Sequence, residues 1–238
     1  MQHYKAWWLT KDKNFGDLLT PYVLDYFQIP YQKVKKHKDA DIMCVGSIAR
    51  RTQSHHIVLG SGIYYKDDKI NPHAEWKFVR GPYTRKRVIE LGGKCPEIYG
   101  DPALLLPAFC KESDKEFDVG IVPHFVDYQT VKKKYPNYKI INVVNKNPLE
   151  VAKEITKCKR IVSSSLHGII CAHAYNIPAA WVKFSKNLIG DDIKFYDHYA
   201  SIGIDLVQSP MDKLHFQIGS IDLSPIVKIF KDLKNDFC

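Results

Sequence analysis

No run of 18 apolar residues occurs in this chain of 238 residues, which removes a membrane-spanning helix from consideration. No apolar segment opens it either, so secretion is disfavoured and a cytoplasmic protein is expected. The six cysteines, at positions 44, 95, 110, 158, 171 and 238, fall singly, with no CxxC and no paired Cys/His spacing. They read as reduced, mostly buried thiols, and no metal site is expected. No GxGxxG opens a strand–helix unit, no GxxxxGKS/T occurs, and the GxSxG elbow is missing. A Rossmann dinucleotide site, a P-loop and a Ser/His/Asp hydrolase therefore each lack their signature, and no cofactor is expected. Internal repeats and low-complexity tracts are absent as well.

What is present is the composition of an ordinary globular protein, 45% hydrophobic and 26% charged. Lysine and arginine exceed the acids by 35 to 26, largely in lysine clusters at residues 33–38 and 132–134. These read as solvated surface with some attraction for an anionic substrate. Nucleic acid is not expected as a partner, because the basic residues show no ordered interleaving with aromatics. The length suits two half-sized cores, which we place at residues 1–112 and 113–220, with a terminal helix at 221–238.

Short apolar runs alternate with amphipathic segments. Residues 4–9, 41–45, 56–59 and 76–79 read as strands, with helices at 18–27 and 83–91, the latter stopped by Gly92-Gly93. A second series has strands at 119–123, 139–144, 160–163 and 179–184, with helices at 128–134, 149–158 and 166–175. Strands alternating with helices predict an α/β fold with parallel sheets. The charged stretch 111–116 reads as the linker, and the helix over 221–236 is expected to pack back across the first half. Ligands of such sheets bind beyond the carboxyl ends of the strands, which here means between the two halves.

Unusual loops sit at those strand ends: Asn14-Phe15-Gly16-Asp17, Gly46-Ser47, Gly60-Ser61-Gly62, Arg80-Gly81-Pro82 and Gly100-Asp101-Pro102. Each alone is ordinary turn chemistry; their succession is informative. The most telling segment is SSSLHGIICAH at residues 163–173, a β-branched run turning into an apolar helix. Its helix start offers unpaired N–H groups and a positive dipole end to an anion. His167 would stand at that site, Gly168 would let the backbone come close, and Ser164 and Ser165 would supply hydroxyls; the plainer reading makes the serines helix caps and His167 a packed surface residue.

In order and separation, these motifs resemble the polysaccharide pyruvyl transferase family from about residue 14 to 203. The resemblance rests on NFGD at 14–17, GSG at 60–62, VRGPYT at 79–84, GDPALLLP at 100–107, IVPH at 121–124, SSSLHG at 163–168, AHAYNIP at 172–178 and KFYDHYASIG at 194–203. It implies a glycosyltransferase-B-like fold, two Rossmann-type domains facing across a cleft, with phosphoenolpyruvate as donor and a glycan as acceptor. Pyruvate would be installed on a sugar diol as a cyclic ketal. Two departures stand out: many relatives carry Arg-Leu-His-Gly where this chain has Ser165, and Arg-Asp where it has Arg80-Gly81. Both resemble the bacterial exopolysaccharide branch.

The chemistry assigns roles to the matching residues. Arg80 is expected to hold a donor oxyanion through its planar fork, and His167 to deliver a proton to the donor methylene as general acid. Lys186 or Lys194 would neutralise the leaving phosphate. Asn14, Gly16, Asp17, Gly60, Ser61 and Asp101 are candidates for the acceptor side, with Asp17 and Asp101 as possible bases. His124 and His173 read more plainly as structural. Two other classes stay open: a glycosyltransferase of the same fold using a nucleotide-sugar, and a non-catalytic glycan- or anion-binding module.

Overall fold

The computed structural model describes residues 3–10, 14–186 and 188–236. Cys238 lies outside them. The chain is α/β and carries two parallel sheets. The first has the order β2-β1-β3-β4-β5, from β1 (Tyr4–Trp7), β2 (Tyr31–Lys33), β3 (Ile42–Met43), β4 (Ile57–Leu59) and β5 (Glu75–Phe78). The second has the order β7-β6-β8-β9, from β6 (Phe117–Val122), β7 (Lys139–Ile140), β8 (Cys158–Ser163) and β9 (Ala179–Trp181). Helices α1 (Thr20–Tyr26), α2 (Pro82–Glu90), α3 (Tyr128–Lys134), α4 (Pro148–Thr156), α5 (Leu166–Ala174), α6 (Ile193–Ser201) and α7 (Ser224–Asn235) complete the fold. Every expected strand and helix has its counterpart, mostly trimmed at the ends. Strand β2 and helix α6 are additions, and α1 starts late because residues 16–19 form a 3₁₀ turn ahead of it.

Side chains alternate across β1, β3 and β4, and the packing follows that period; in β5 a register shift opposite Val58 and Leu59 breaks it, so Trp76 and Phe78 face opposite ways. Ala6, Ile42, Leu59 and Phe78 point into one large apolar cluster, whereas Trp7, Met43, Val58 and Trp76 point into a second one on the opposite face of the first sheet. In the second sheet Val122 and Ile161 join the large cluster, and Ile121 and Val162 a small outer one. Both faces of both sheets are thus covered, as all-parallel sheets require. The large cluster is common to the two sheets. GDPALLLP forms the 3₁₀ segment Pro102–Ala108, whose Leu104, Leu105 and Leu106 are buried in it, and α5 packs on that segment.

Helix α7 lies against the first half. Phe230 stacks on Phe27 with centroids 4.7 Å apart, and the Lys234 ammonium donates to the Gln28 amide oxygen at 2.7 Å. Cys44, Cys95, Cys110, Cys158 and Cys171 are buried free thiols. No helix among the described residues is long and apolar enough to cross a membrane.

Candidate active site

A cavity of about 350 Å³ opens where loops after β1, β3 and β4 meet loops after β6 and β8. The first half lines it with Asn14, Asp17, Ser47, Arg50 and Tyr64, and the second with His124, Ser165, His167 and Lys194. Among the described residues no group of His, Cys, Asp and Glu is arranged to hold a metal ion.

The floor is the turn between β8 and α5. Ser163 Oγ sits 2.8 Å from the carbonyl oxygens of both Val122 and Ser165 and accepts the Ser165 N–H at 3.0 Å; Ser164 Oγ accepts the His124 N–H at 2.8 Å. Two serines are therefore spent on locking the turn. Ser164, expected on the donor side, is buried and does not line the cavity. Ser165 occupies the cap position of α5, makes no side-chain cap bond and faces the cavity. Gly168 has a different task from the expected one. A Cβ there would stand 2.6 Å from Ser163 Oγ and 2.7 Å from Val122 Cγ1, so its missing side chain seats α5 on the sheet rather than admitting a ligand.

His167 is held from both halves. A Cβ on Gly16 would fall 2.0 Å from the imidazole Cγ and Nδ1, so the glycine of NFGD lies flat against the ring. That loop is itself tied across: the Phe15 N–H donates to the Val143 carbonyl at 2.8 Å, and Asn14 bridges to Val144. Phe15 meets the ring edge-on. Nε2 of His167 points to Asp101 Oδ2 at 3.6 Å, and both atoms are buried with no other partner. Asp101 Oδ1 accepts the Ala103 N–H at 3.0 Å, capping the 3₁₀ segment and fixing the carboxylate. With Nε2 sealed against Asp101, Nδ1 is the ring nitrogen left to serve the cavity.

Arg80 departs from expectation. Its side chain is 0% exposed, and its guanidinium bonds Asp197 Oδ2 from Nε at 3.1 Å, Ser47 Oγ at 2.7 Å and the Ile63 carbonyl at 2.7 Å. Asp197 lies on α6 and also accepts from the Thr84 N–H and hydroxyl. Arg80 thus presents no surface to the cavity; it holds Ser47, which does. The glycines around it explain the neighbouring motifs. A Cβ on Gly62 would lie 2.2 Å from Arg80 Cζ, and one on Gly81 1.9 Å from the Asp197 carbonyl oxygen, so Gly62 makes room for the guanidinium and Gly81 for α6. Gly60 and Ser61 are structural too: Gly60 has φ +86° with Pro102 against it, and Ser61 Oγ donates to the Cys44 carbonyl. Neither lines the cavity, nor does Lys186, which is exposed beside Lys183 and Ser185 in a separate hollow.

Lys194 lines the cavity from α6. Its ammonium stands 4.8 Å from the centre of the Tyr64 ring, and burial, then the nearby Arg80 charge, lower its pKa to about 8. Asp17 faces the same space and acts in the other direction. Of the remaining histidines, His124 borders the cavity, whereas His173 is buried against His198, Nδ1 to Nε2 at 3.0 Å. Ser47, Arg50, Tyr64 and Tyr65 are polar lining residues that the sequence did not mark as site residues, beside apolar ones such as Leu9, Phe125 and Ile189. The glycine-bearing strand ends before Ser47 and Tyr64 signalled loops at a site, but nothing local distinguished Arg50 from Arg51.

The family profile described as Polysaccharide pyruvyl transferase matches residues 3–185. The chain belongs to the polysaccharide pyruvyl transferase family. It is therefore a transferase of polysaccharide biosynthesis, and the family implies a glycan acceptor. Among curated proteins it is 32% identical over 225 residues to an uncharacterized protein of Acanthamoeba polyphaga mimivirus, covering 83% of this chain and 74% of the relative. It is 28% identical over 217 residues to the succinoglycan biosynthesis protein ExoV of Rhizobium meliloti, covering 83% of this chain and 64% of that protein. No solved structure matches. The profile contains His167, Asp101, Arg80 and the NFGD loop; Lys194 falls beyond its end.

Proposed function

We propose that this pyruvyl transferase takes the pyruvyl group from phosphoenolpyruvate and sets it on a sugar diol of a glycan as a cyclic ketal, releasing phosphate. The observation that carries the reading is the pairing of His167 with the buried Asp101 at the wall of a cavity that also holds cations. A trianionic donor needs positive charge to hold it and an acid to start the reaction. The similarity to a succinoglycan biosynthesis protein supports an exopolysaccharide-type acceptor. The pair of parallel sheets fits a glycosyltransferase-B-like arrangement, in which donor and acceptor meet between two Rossmann-type units.

In this mechanism Asp101 holds the Nε2 proton and His167 Nδ1 delivers its proton to C3 of the donor. The methylene becomes a methyl group and C2 gains oxocarbenium character. A sugar hydroxyl attacks C2 and returns its proton to Nδ1. The C2–O bond to phosphate then breaks with its electron pair, and the second hydroxyl closes the ketal. That hydroxyl's proton leaves with the phosphate, so protons balance over the cycle. Lys194 meets the negative charge of the departing group. Asp17 and Asn14, on the opposite wall, are suited to hold the two hydroxyls.

Incubation with phosphoenolpyruvate and a panel of glycans, followed by phosphate release and the mass of the sugar, tests this. Phosphate release coupled to a pyruvyl mass gain on a glycan is the expected result. Transfer from a nucleotide-sugar with none from phosphoenolpyruvate would replace the reading by a glycosyltransferase, and no transfer from either by a binding module.

A further inference from the structure

We infer that Arg50, Tyr64 and Lys194 form an anion clamp for the donor's phosphate group, with Arg50 supplying the cation that the turn before α5 lacks. The inference rests on the phosphoenolpyruvate reading above. Among the described residues the lining side chains that carry a full charge, besides a protonated histidine, are Asp17, Arg50 and Lys194. Arg80 is sealed, and position 165 is serine, so neither puts a guanidinium into the space. Arg50 does. It belongs to the 3₁₀ turn Ala49–Arg51 that follows Gly46-Ser47, the same loop whose Ser47 is held by Arg80.

Tyr64 organises the cations. The guanidinium carbon of Arg50 lies 5.2 Å from the centre of its ring and the Lys194 ammonium 4.8 Å from the same centre. Both distances are within the range of cation–π attraction. The ring itself is fixed, because its hydroxyl donates to the Ile189 carbonyl at 2.7 Å and the Tyr64 N–H donates to Asp68 at 2.6 Å. Among the described residues no carboxylate pairs with Arg50. Two cations gathered on one ring repel each other, and a dianion between them would reverse that cost. Arg50 offers a planar fork to phosphate oxygens, and Lys194 a compact charge. The adjacent Arg51 cannot substitute, since its guanidinium lies over Trp7 in the core of the first half.

Calorimetric titration with inorganic phosphate and, separately, with pyruvate tests the clamp on the wild type, Arg50→Ala, Arg50→Lys, Tyr64→Leu and the remote Lys133→Ala. Thermal unfolding of each checks that it folds; Arg50 is exposed, so its variants carry the test even where Tyr64→Leu does not fold. Arg50→Ala should weaken phosphate at least about tenfold and Arg50→Lys by less, while pyruvate binding stays unchanged and Lys133→Ala behaves as wild type. The KM for phosphoenolpyruvate should rise with the phosphate Kd. Wild-type phosphate affinity in Arg50→Ala, or no phosphate binding by the wild type, overturns the clamp. Turnover of phosphoenolpyruvate unaffected by Arg50→Ala overturns it too and leaves the pyruvyl transfer standing. Phosphate binding that depends on Arg50, in a protein that never uses phosphoenolpyruvate, sinks the functional reading and keeps the clamp.

Discussion

His167 Nε2 and Asp101 Oδ2 face each other at 3.6 Å across the junction of the two halves, each buried and each without another partner. The carboxylate is held from behind by the Ala103 N–H, so it is the fixed member and the imidazole the one that answers to it. His167→Ala should lower kcat by about 10²–10⁴-fold, the usual contribution of a positioned acid or base. Asp101→Asn keeps the cap to Ala103 but turns a donor toward Nε2 and should cost about 10²-fold in kcat with a smaller change in KM. Steady-state kinetics on folded preparations decide; an Asp101→Asn enzyme with wild-type kcat would remove Asp101 from the mechanism.

Gly16→Ala places a methyl group 2.0 Å from two ring atoms of His167. The ring must shift, at an overpacking cost of about 1–3 kcal/mol. We expect a modest fall in Tm and a loss of kcat of about 10²-fold, because the acid leaves its productive position. Full activity in this variant would show that the ring can move without consequence.

Asp197→Ala leaves the sealed guanidinium of Arg80 unpaired and should destabilise the protein by about 3–5 kcal/mol. Chemical denaturation measures it. Arg80→Lys should also fold less stably, since one ammonium cannot reach Asp197, Ser47 and Ile63 together. An Arg80→Lys protein of unchanged Tm whose only defect is a raised donor KM would instead restore Arg80 as a direct ligand.

Lys194, with its pKa lowered to about 8, is charged at neutral pH and loses its charge just above it. Donor affinity should therefore fall as pH rises through about 8, and donor binding there should take up a proton. Lys194→Met should bind the donor weakly at every pH and show no inflection. Calorimetry in buffers of different ionisation enthalpy reads both effects. Between about 8 and 10.5 the unfolded chain holds more protons at this position than the folded one, so the same group adds stability as pH climbs through that window.

The buried pair His173 and His198 gives stability the same slope at lower pH. Burial lowers the pKa of His173 to about 4 and that of His198 well below its usual value, and His56 is lowered to about 4 by the same cause. Unfolded histidines titrate near 6.5, so below that pH the unfolded state binds more protons and stability falls, by about 1.4 kcal/mol per pH unit for each histidine. Tm should drop steeply from pH 6.5 to 4.5, and less so in His173→Gln. A flat Tm over that range would contradict the assignment.

Much of the fold could be read from local pattern. Strands such as residues 57–59 and 158–163 announce themselves by β-branched runs, and α5 by its unbroken apolar helix. β2 escaped because Tyr31, Gln32 and Lys33 form an edge strand with little burial, leaving no alternation to detect. His167 was legible from the turn it sits on. The burial of Arg80 was not, because its partner Asp197 lies 117 residues away, on a helix that only folding brings against the first half. Arg50 escaped for a related reason: what marks it is a ring and a second cation brought together only by folding.

The apolar cluster shared by the two sheets has a consequence for where chemistry can reside in this chain. Asp101 stands at the end of one half and His167 at the start of a helix in the other, with Leu104 to Leu106 packed beneath them. A half that folded alone would own a carboxylate without its imidazole, or the reverse. The pair proposed to supply the acid is thus a property of assembly rather than of either sheet, and it comes together in the same event that completes the core.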